Sequence, residues 1–413
     1  MQKLEAAVIL MKKNFKELEF LFPKEFMIEE FKNTLSEEPF SDESIDFLDV
    51  LSKNLLNDKK TKLYPDVATF GFFCRKGNII KLKKKYVNTE NIRLGRGIVF
   101  HIAPSNVPVN FAYSLLCGIL SGNTNIVRVP SKNFKQIEII INAIEKISKE
   151  SKYEIFSKRI VLLRYDRQNN ATNYFSSICD VRVIWGGDQS IQEIRKNELP
   201  PRSFDITFAD RYSFCAINAD EYIKEERKDK IAKAFYNDTY LFDQNACTAP
   251  HLIIWLGDKK NVKESKKEFW KKLHDLATLK YEVQPVISVD KLTALYTQSI
   301  HSENIKKQDS IDNLVWRIEL EKLSKNIDNY RCTSGYFSEF HAKSISELSK
   351  IVNRKYQTLA YYGIKKSDLE YFIKDRKPSG IDRIVPIGKT TDFSFTWDGY
   401  DLIETLSRKV DII

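Results

Sequence analysis

At 413 residues the chain exceeds what one compact domain usually holds, so two domains are expected and a lone binding module is excluded. With 42% hydrophobic and 12% aromatic residues against only 14 Gly and 12 Pro, it can bury real cores and is neither fibrous nor low-complexity. The 66 Lys and Arg exceed the 56 Asp and Glu by a net charge of +10, too modest at this length to mark a nucleic-acid binder.

An apolar run over 6–11 is only six residues long and lacks a small-residue cleavage site, and the longest apolar stretch, 111–120, is half a membrane span. These point to a cytoplasmic protein without a membrane span. Residues 1 to about 65 are helical in pattern, with Ile45, Phe47, Leu48 and Leu51 on one face, and are read as a peripheral helical layer. From Gly97 the texture changes. IVFHIA is a short apolar strand, PVNFAYSLLCGILSG a helix ended by Gly122, and NIVRV a second strand. Ser131 then stands as a cap for a helix with Phe134, Ile137, Ile141, Ile144 and Ile147 inward. RIVLL (159–163), a helix over 171–179 and VRVIW (181–185) complete four strands separated by helices. That alternation predicts an α/β fold with a parallel sheet and right-handed crossovers.

A second αβ region follows Ser213: the strand FCAI, a charged helix over 220–240, the irregular FDQNACTAPH, and HLIIWL ending at Gly257. Residues 259–330 are lysine-rich and read as mostly helical, with strands again near 336–340 and 358–362. The expected domains are therefore 1–213, a helical layer with a nucleotide-binding domain, and 214–380, a cysteine-bearing domain. Residues 381–413 are expected to fold back toward the site. The lysines at 81–85, read as lying between strands, and those at 259–272, interspersed with acids, look like solvated faces. Six cysteines stand far apart without a CxxC pair, which argues against disulfides and metal.

Three motifs carry chemistry, each with a plainer alternative. The dinucleotide fingerprint GxGxxG is absent, but Trp185-Gly186-Gly187-Asp188 follows a strand and opens a helix, where backbone amides favour an anion; the alternative is an ordinary turn. Cys247 lies in a polar, proline-interrupted loop placed for reactivity, with His251 four residues on as a possible partner; the alternative is a structural loop. Ala103-Pro104-Ser105-Asn106-Val107-Pro108 closes a strand, where a side-chain amide can donate to an oxyanion; the alternative is a turn and helix cap.

The order of these motifs resembles the aldehyde dehydrogenase superfamily. More narrowly, DVATFGFFCRKGNI (66–79), GRGIVFHIAPSNVPVNFAYSLLCGILSGNTNIVRVPSK (95–132), FDQNACTAPH (242–251) and DRIVPIGKTTDFSFTWDGYDLI (382–403) resemble the acyl-CoA reductase (LuxC) family of bacterial bioluminescence. The resemblance implies an aldehyde dehydrogenase-like fold, with two αβ domains, each with a largely parallel sheet, and the active site between them. It also implies NADPH-dependent reduction of a fatty acyl-CoA, or another activated acyl group, to the aldehyde through an S-acyl-cysteine. Alternatives are a carrier-protein thioester or acyl phosphate as substrate, or an inactive partner protein. By the same resemblance Cys247 is the nucleophile, Asn106 the oxyanion donor with the Cys247 amide, and Gly186 and Gly187 neighbours of the cofactor phosphates. Arg128 falls on the adenosine-ribose position. Ser131 falls where NAD-restricted members place a carboxylate; with Lys132 adjacent and no acid in 128–135, NADPH is the expected cofactor. Partners implied are the acyl substrate and an acyl-activating synthetase, and a homo-oligomer is expected. Two departures stand out. The water-activating glutamate of hydrolytic members would fall near Phe208, and no glutamate occurs in 203–220; a second superfamily glutamate falls near Arg331.

Overall fold

A computed structural model describes residues 18–86, 92–105, 107–166, 170–302 and 304–412. The chain divides into two compact units, 1–209 with 400–413, and 210–399. In the first, strands β1 (Glu19–Phe22), β3 (Ile98–Ile102), β4 (Thr124–Arg128), β5 (Ile160–Arg164), β6 (Val181–Trp185) and β7 (Phe204–Phe208) form one sheet in the order β1-β5-β4-β3-β6-β7. All neighbours are parallel except β1, which runs antiparallel to β5. β3 and β6 are buried at every position, as parallel strands covered on both faces must be, which is why they read as unbroken apolar runs. A short strand, β2 (Ile92–Gly95), pairs antiparallel with Ser407–Val410 and ties the end of the chain to this unit.

The helix Lys135–Ser148 buries Ile137, Ile141, Ile144 and Ile147 as its period predicts. Its N-cap is Phe134 without a side-chain cap, so Ser131 does not cap it. Gly122 does end the helix Asn110–Leu120: it stands at φ 78°, and a Cβ there would meet the Glu37 carbonyl at 2.1 Å. Arg182, fully buried on β6, donates to Asp205 on β7 at 2.7 and 3.1 Å and to the Asn197 carbonyl at 3.0 Å, locking the edge strand to the sheet.

The second unit carries β8 (Tyr212–Asn218), β9 (Pro250–Leu256), β10 (Ile305–Ser310), β11 (Trp316–Leu320), β12 (Tyr336–His341), β13 (Tyr356–Tyr362) and β14 (Arg383–Pro386) in the order β10-β11-β12-β9-β8-β13-β14. Only β10 is antiparallel. Alternate residues feed two cores: Phe214, Leu252 and Ile254 on one face, Cys215, Ile217, Ile253 and Trp255 on the other. Against the latter packs the helix Lys259–Lys280, capped by Asp258 and burying Phe269, Trp270 and Leu273.

The layer read as helical holds β1, whose four residues are too few to show a period and which owes its form to pairing with β5. Lys81–Lys83 close the helix Lys76–Lys83 and do not lie between strands. The region 259–330 includes β10 and β11; β10, IKKQDS, is a charged edge strand whose polarity guards an open edge and hides the strand signal. Among the described residues no helix is long and apolar enough to cross a membrane.

Candidate active site

In the first unit the chain leaves β3 toward β4 and β5 on one side, then returns to β6 and β7 on the other. Such a reversal opens a crevice beyond the carboxyl ends of the strands, the usual ligand position in open α/β sheets. A cleft of about 780 Å³ lies there. Ile102 to Ser105 line it after β3, Arg128 and Ser131 at β4, and Trp185, Gly186 and Gly187 at β6. Gly186 and Gly187 thus share one cleft with Arg128 and Ser131. Lys132 is not on its wall; it is exposed, with its ammonium 5.2 Å from the Phe134 ring. Asn106 lies outside the described residues.

Gly187 caps the helix Asp188–Arg195, at φ −69°. Neither φ nor packing demands a glycine: a Cβ on Gly187 would meet nothing within 4 Å, and one on Gly186 only Ser190 at 3.5 Å. The missing side chains leave the backbone open to the cleft, which suits a phosphate approaching a helix N-terminus. Arg128 donates to the Tyr165 carbonyl at 3.1 Å and lies 4.8 Å from that ring. The Tyr165 hydroxyl meets Thr172, another cleft residue, at 2.9 Å.

Beneath the cleft runs a neutral polar chain that the motifs did not reveal. The Trp185 indole stacks on Phe208 at 3.7 Å and donates to Ser114 Oγ at 3.0 Å. The Ser114 hydroxyl can then donate to His101 Nδ1 at 2.7 Å, and His101 Nε2 to Asn125 Oδ1 at 3.1 Å. Burial pushes His101 down to about 4, so the ring is neutral at pH 7. Gly118 makes room for this chain, because a Cβ there would lie 1.8 Å from Asn125 Oδ1. Phe208, near which the resemblance would place the hydrolytic glutamate, is buried. Glu193, also missed in sequence, lines the cleft and pairs with Lys196 at 2.7 Å.

In the second unit Cys247 sits between the helix Lys228–Thr239 and β9, in a loop that opens with two left-handed residues, Asp243 (φ 51°) and Gln244 (φ 59°). The buried Gln244 amide holds this conformation. It donates to the carbonyls of Pro250 (2.9 Å) and Tyr336 (3.0 Å) and accepts from the backbone N–H groups of Gly335 (2.9 Å) and Tyr336 (3.1 Å). The Cys247 carbonyl accepts from Ser213 Oγ at 2.6 Å, and Ser213 accepts in turn from the Thr358 N–H at 3.2 Å. Four other cysteines are buried and Cys332 half-buried, whereas Cys247 is exposed.

Surrounding protein and then the Asp398 carboxylate push the Cys247 thiol up, while Gln357 and Arg211 oppose the rise. Because the residue is open to solvent, desolvation weighs less on it than on the enclosed Cys215, which burial holds well above the ordinary thiol range. His251 is no partner for this thiol. Its ring stacks on Tyr212 with centroids 5.8 Å apart, its Nδ1 is unpartnered, and burial followed by Arg331 pushes it down to about 3. Arg331, at the second departure, is bound to Asp210 at 2.6 Å. Among the described residues no His, Cys, Asp and Glu group of three or more is placed to hold a metal ion.

The sequence profile of the family described as acyl-CoA reductase (LuxC) matches residues 82–409. A long-chain acyl-protein thioester reductase of Aliivibrio fischeri is 22% identical over 303 residues, which are 72% of this chain and 60% of that protein. The Vibrio harveyi protein of the same description is 28% identical over 193 residues, 46% of this chain and 37% of that one. The chain thus spans three fifths or less of the length of these curated relatives. Among solved structures, an NAD-dependent benzaldehyde dehydrogenase from Corynebacterium glutamicum superposes with a TM-score of 0.60 at 12% identity, over 92% of this chain and 86% of that one. A 1-pyrroline-5-carboxylate dehydrogenase from Thermus with bound NAD gives 0.57 at 15% identity, over 91% and 78%. These likenesses establish the aldehyde dehydrogenase fold, and the profile match over most of the chain establishes the family: the protein belongs to the acyl-CoA reductase (LuxC) family.

Proposed function

We propose that the protein reduces an activated long-chain acyl group to its aldehyde, with Cys247 as the residue that carries the acyl group. The observation that bears most weight is the state of Cys247: the exposed cysteine of the chain stands in a loop braced by Gln244 and Ser213. Its sulfur attacks the acyl carbonyl, the donor's thiol departs, and a thioester to Cys247 remains. The side-chain amide of Asn106, with the Cys247 N–H, is the proposed donor to the oxyanion. No glutamate of 203–220 is available to activate water, so the acyl group is kept for reduction.

The cleft of the first unit suits a nicotinamide dinucleotide, which supplies the hydride when bound. Gly186 and Gly187 offer open backbone for its phosphates, and Arg128 and Ser131, which line the same cleft, are the proposed contacts of the adenosine ribose. NADPH is the proposed form, because these groups include a cation and a hydroxyl; the carboxylate of Glu193 is already paired with Lys196. Lys132, exposed and off the cleft wall, contributes at most a distant positive charge.

For the acyl donor, the relatives described as acyl-protein thioester reductases favour a protein-bound thioester; an acyl-activating synthetase is the proposed partner that supplies it. Acyl-CoA is the second reading, favoured by the family description. NADPH oxidation, followed against a panel of acyl-CoAs and an acylated carrier protein, tests both. Turnover with either thioester supports the reaction and its ratio identifies the donor; no turnover with any thioester rejects the proposal.

A further inference from the structure

The helix Val286–His301 fully buries two residues, Lys291 and Gln298, and both are polar where a core-facing helix would set apolar side chains. Each bonds to the stretch that opens β12. Gln298 Oε1 accepts from the Tyr336 hydroxyl at 3.0 Å. The Lys291 ammonium donates to the carbonyls of Asn313 at 2.5 Å and Ser334 at 2.6 Å, and so draws together the approaches to β11 and β12. Among the described residues Lys291 forms no ion pair with a carboxylate. A cation taken out of water is costly unless it is hydrogen-bonded, and burial pushes Lys291 down to about 8, which still leaves the ammonium form in excess at pH 7.

Ser334 is where these bonds meet the cysteine loop. It is buried, left-handed at φ 57°, and engaged through all three of its polar atoms. Its carbonyl accepts from Lys291, its N–H donates to the Asp243 carbonyl at 3.0 Å, and its hydroxyl lies 2.9 Å from the Tyr281 hydroxyl. Tyr281 in turn donates to Asp243 Oδ1 at 2.7 Å, with its ring edge-on to Tyr240 at 4.9 Å. Three left-handed non-glycine residues, Asp243, Gln244 and Ser334, are thereby joined, a conformation that persists only where its surroundings over-determine it. From Asp243 the loop runs on through successive turns. The Asn245 N–H donates to the Phe242 carbonyl at 2.8 Å and the Ala249 N–H to the Ala246 carbonyl at 2.9 Å, with Cys247 inside the second turn. A shift at Asp243 therefore reaches the thiol.

We infer that Lys291 and Tyr281 are positioning residues for Cys247: together they pin Ser334 to Asp243 and so fix the loop that presents the thiol. That the fixed loop serves acyl transfer rests on the reading above. Neither residue touches the acyl group in this account. Lys291 holds the carbonyl side of Ser334 and Tyr281 the hydroxyl side, so losing either frees one end of the same joint. Sulfur and acyl carbon must meet within a narrow range of distance and angle, and misplacement by about 1 Å is enough to slow such a step roughly 10²-fold.

Lys291→Met keeps the length of the side chain and removes its donors, while Tyr281→Phe keeps the ring against Tyr240 and removes the hydroxyl. Three rates are read at neutral pH in wild type and both variants: single-turnover transfer of a labelled acyl group from acyl-CoA and from an acylated carrier protein, alkylation of Cys247 by iodoacetamide, and hydrogen exchange of the amides of 334–336 against those of β9. Acyl transfer is expected to slow by roughly 10² in Lys291→Met and by about tenfold in Tyr281→Phe. Alkylation needs no oriented carbonyl and is expected to keep its rate. Exchange at 334–336 is expected to quicken more than at β9. A merely structural pair would leave transfer by the folded variants unchanged, and that result overturns the inference; so does alkylation that falls along with transfer, or exchange that stays at the wild-type rate. If Lys291→Met does not fold, Tyr281→Phe decides by the same three rates. If the wild type accepts no acyl group, the acyl-transfer reading falls alone and exchange decides the clamp: quicker at 334–336 in the variants sustains it, unchanged overturns it.

Discussion

The cleft of the first unit and the cysteine loop of the second are built on opposite principles. The cleft is shaped by what its backbone leaves open, at Gly186 and Gly187, above a chain of neutral groups from Trp185 through His101 to Asn125. The cysteine loop is held by two left-handed non-glycine residues and a four-bonded glutamine. A surface that binds a large ligand by its phosphates needs open amides and a rigid floor. A nucleophile needs a fixed backbone and a tuned field, and strain at such a place persists only where the surroundings over-determine it.

Removing the brace breaks this contrast most severely. Gln244→Ala strands four buried groups on Pro250, Gly335 and Tyr336, for an expected stability loss of at least about 4 kcal/mol, at roughly 1–3 kcal/mol for each unmet group. Urea denaturation measures it; a loss under 1 kcal/mol would mean that the loop keeps its shape without the glutamine. Next in size is Asn106→Ala, which should lower turnover by roughly 10² to 10³ with folding nearly untouched. Near-normal turnover there would reject Asn106 as the oxyanion donor.

The neutral floor makes its own prediction. His101 falls from its ordinary 6.5 to about 4 on folding, so the unfolded chain binds the extra proton between those values. Its contribution is fully present above pH 6.5 and is lost as pH falls toward 4, a change of about 3 kcal/mol at 1.36 kcal/mol per pH unit. In the second unit His251 acts in the same sense, but Asp238, raised by burial to about 6, gives stability at low pH that is lost as pH rises through 6. The two oppose each other there. On acidification, hydrogen exchange corrected for its intrinsic pH dependence should therefore expose β3 before β9; the reverse order would contradict the assigned charge states.

The smallest effect concerns cofactor choice. Arg128→Ala should cost about 1 kcal/mol, or fivefold, in kcat/KM with NADPH and less with NADH, because Arg128 already spends hydrogen bonds on the Tyr165 carbonyl. Equal losses with both coenzymes would assign the residue to packing on Tyr165.

The parallel strands were legible because burial on both faces writes each one as an apolar run, as in IVFHI and VRVIW. The motifs that line the cleft were legible because they follow those strands. What stayed hidden depends on long-range placement. β1 and β10 are short or charged edge strands whose form comes from a neighbour. Gln244 carries no signal in QNAC that sets it apart from a solvated loop residue, since its four partners lie up to 92 positions away. Ser114 and His101 are 13 residues apart on a helix and a strand, so no local pattern joins them.

Trapping the acyl group on Cys247 tests the proposed chemistry most directly. The protein is incubated with a labelled acyl thioester and no reduced nicotinamide, so that an acyl enzyme has no route to aldehyde. One label per chain, released by hydroxylamine, located on the Cys247 peptide and absent from Cys247→Ala, is the expected result. Label that persists in the variant, or that maps to the half-buried Cys332, would contradict the account.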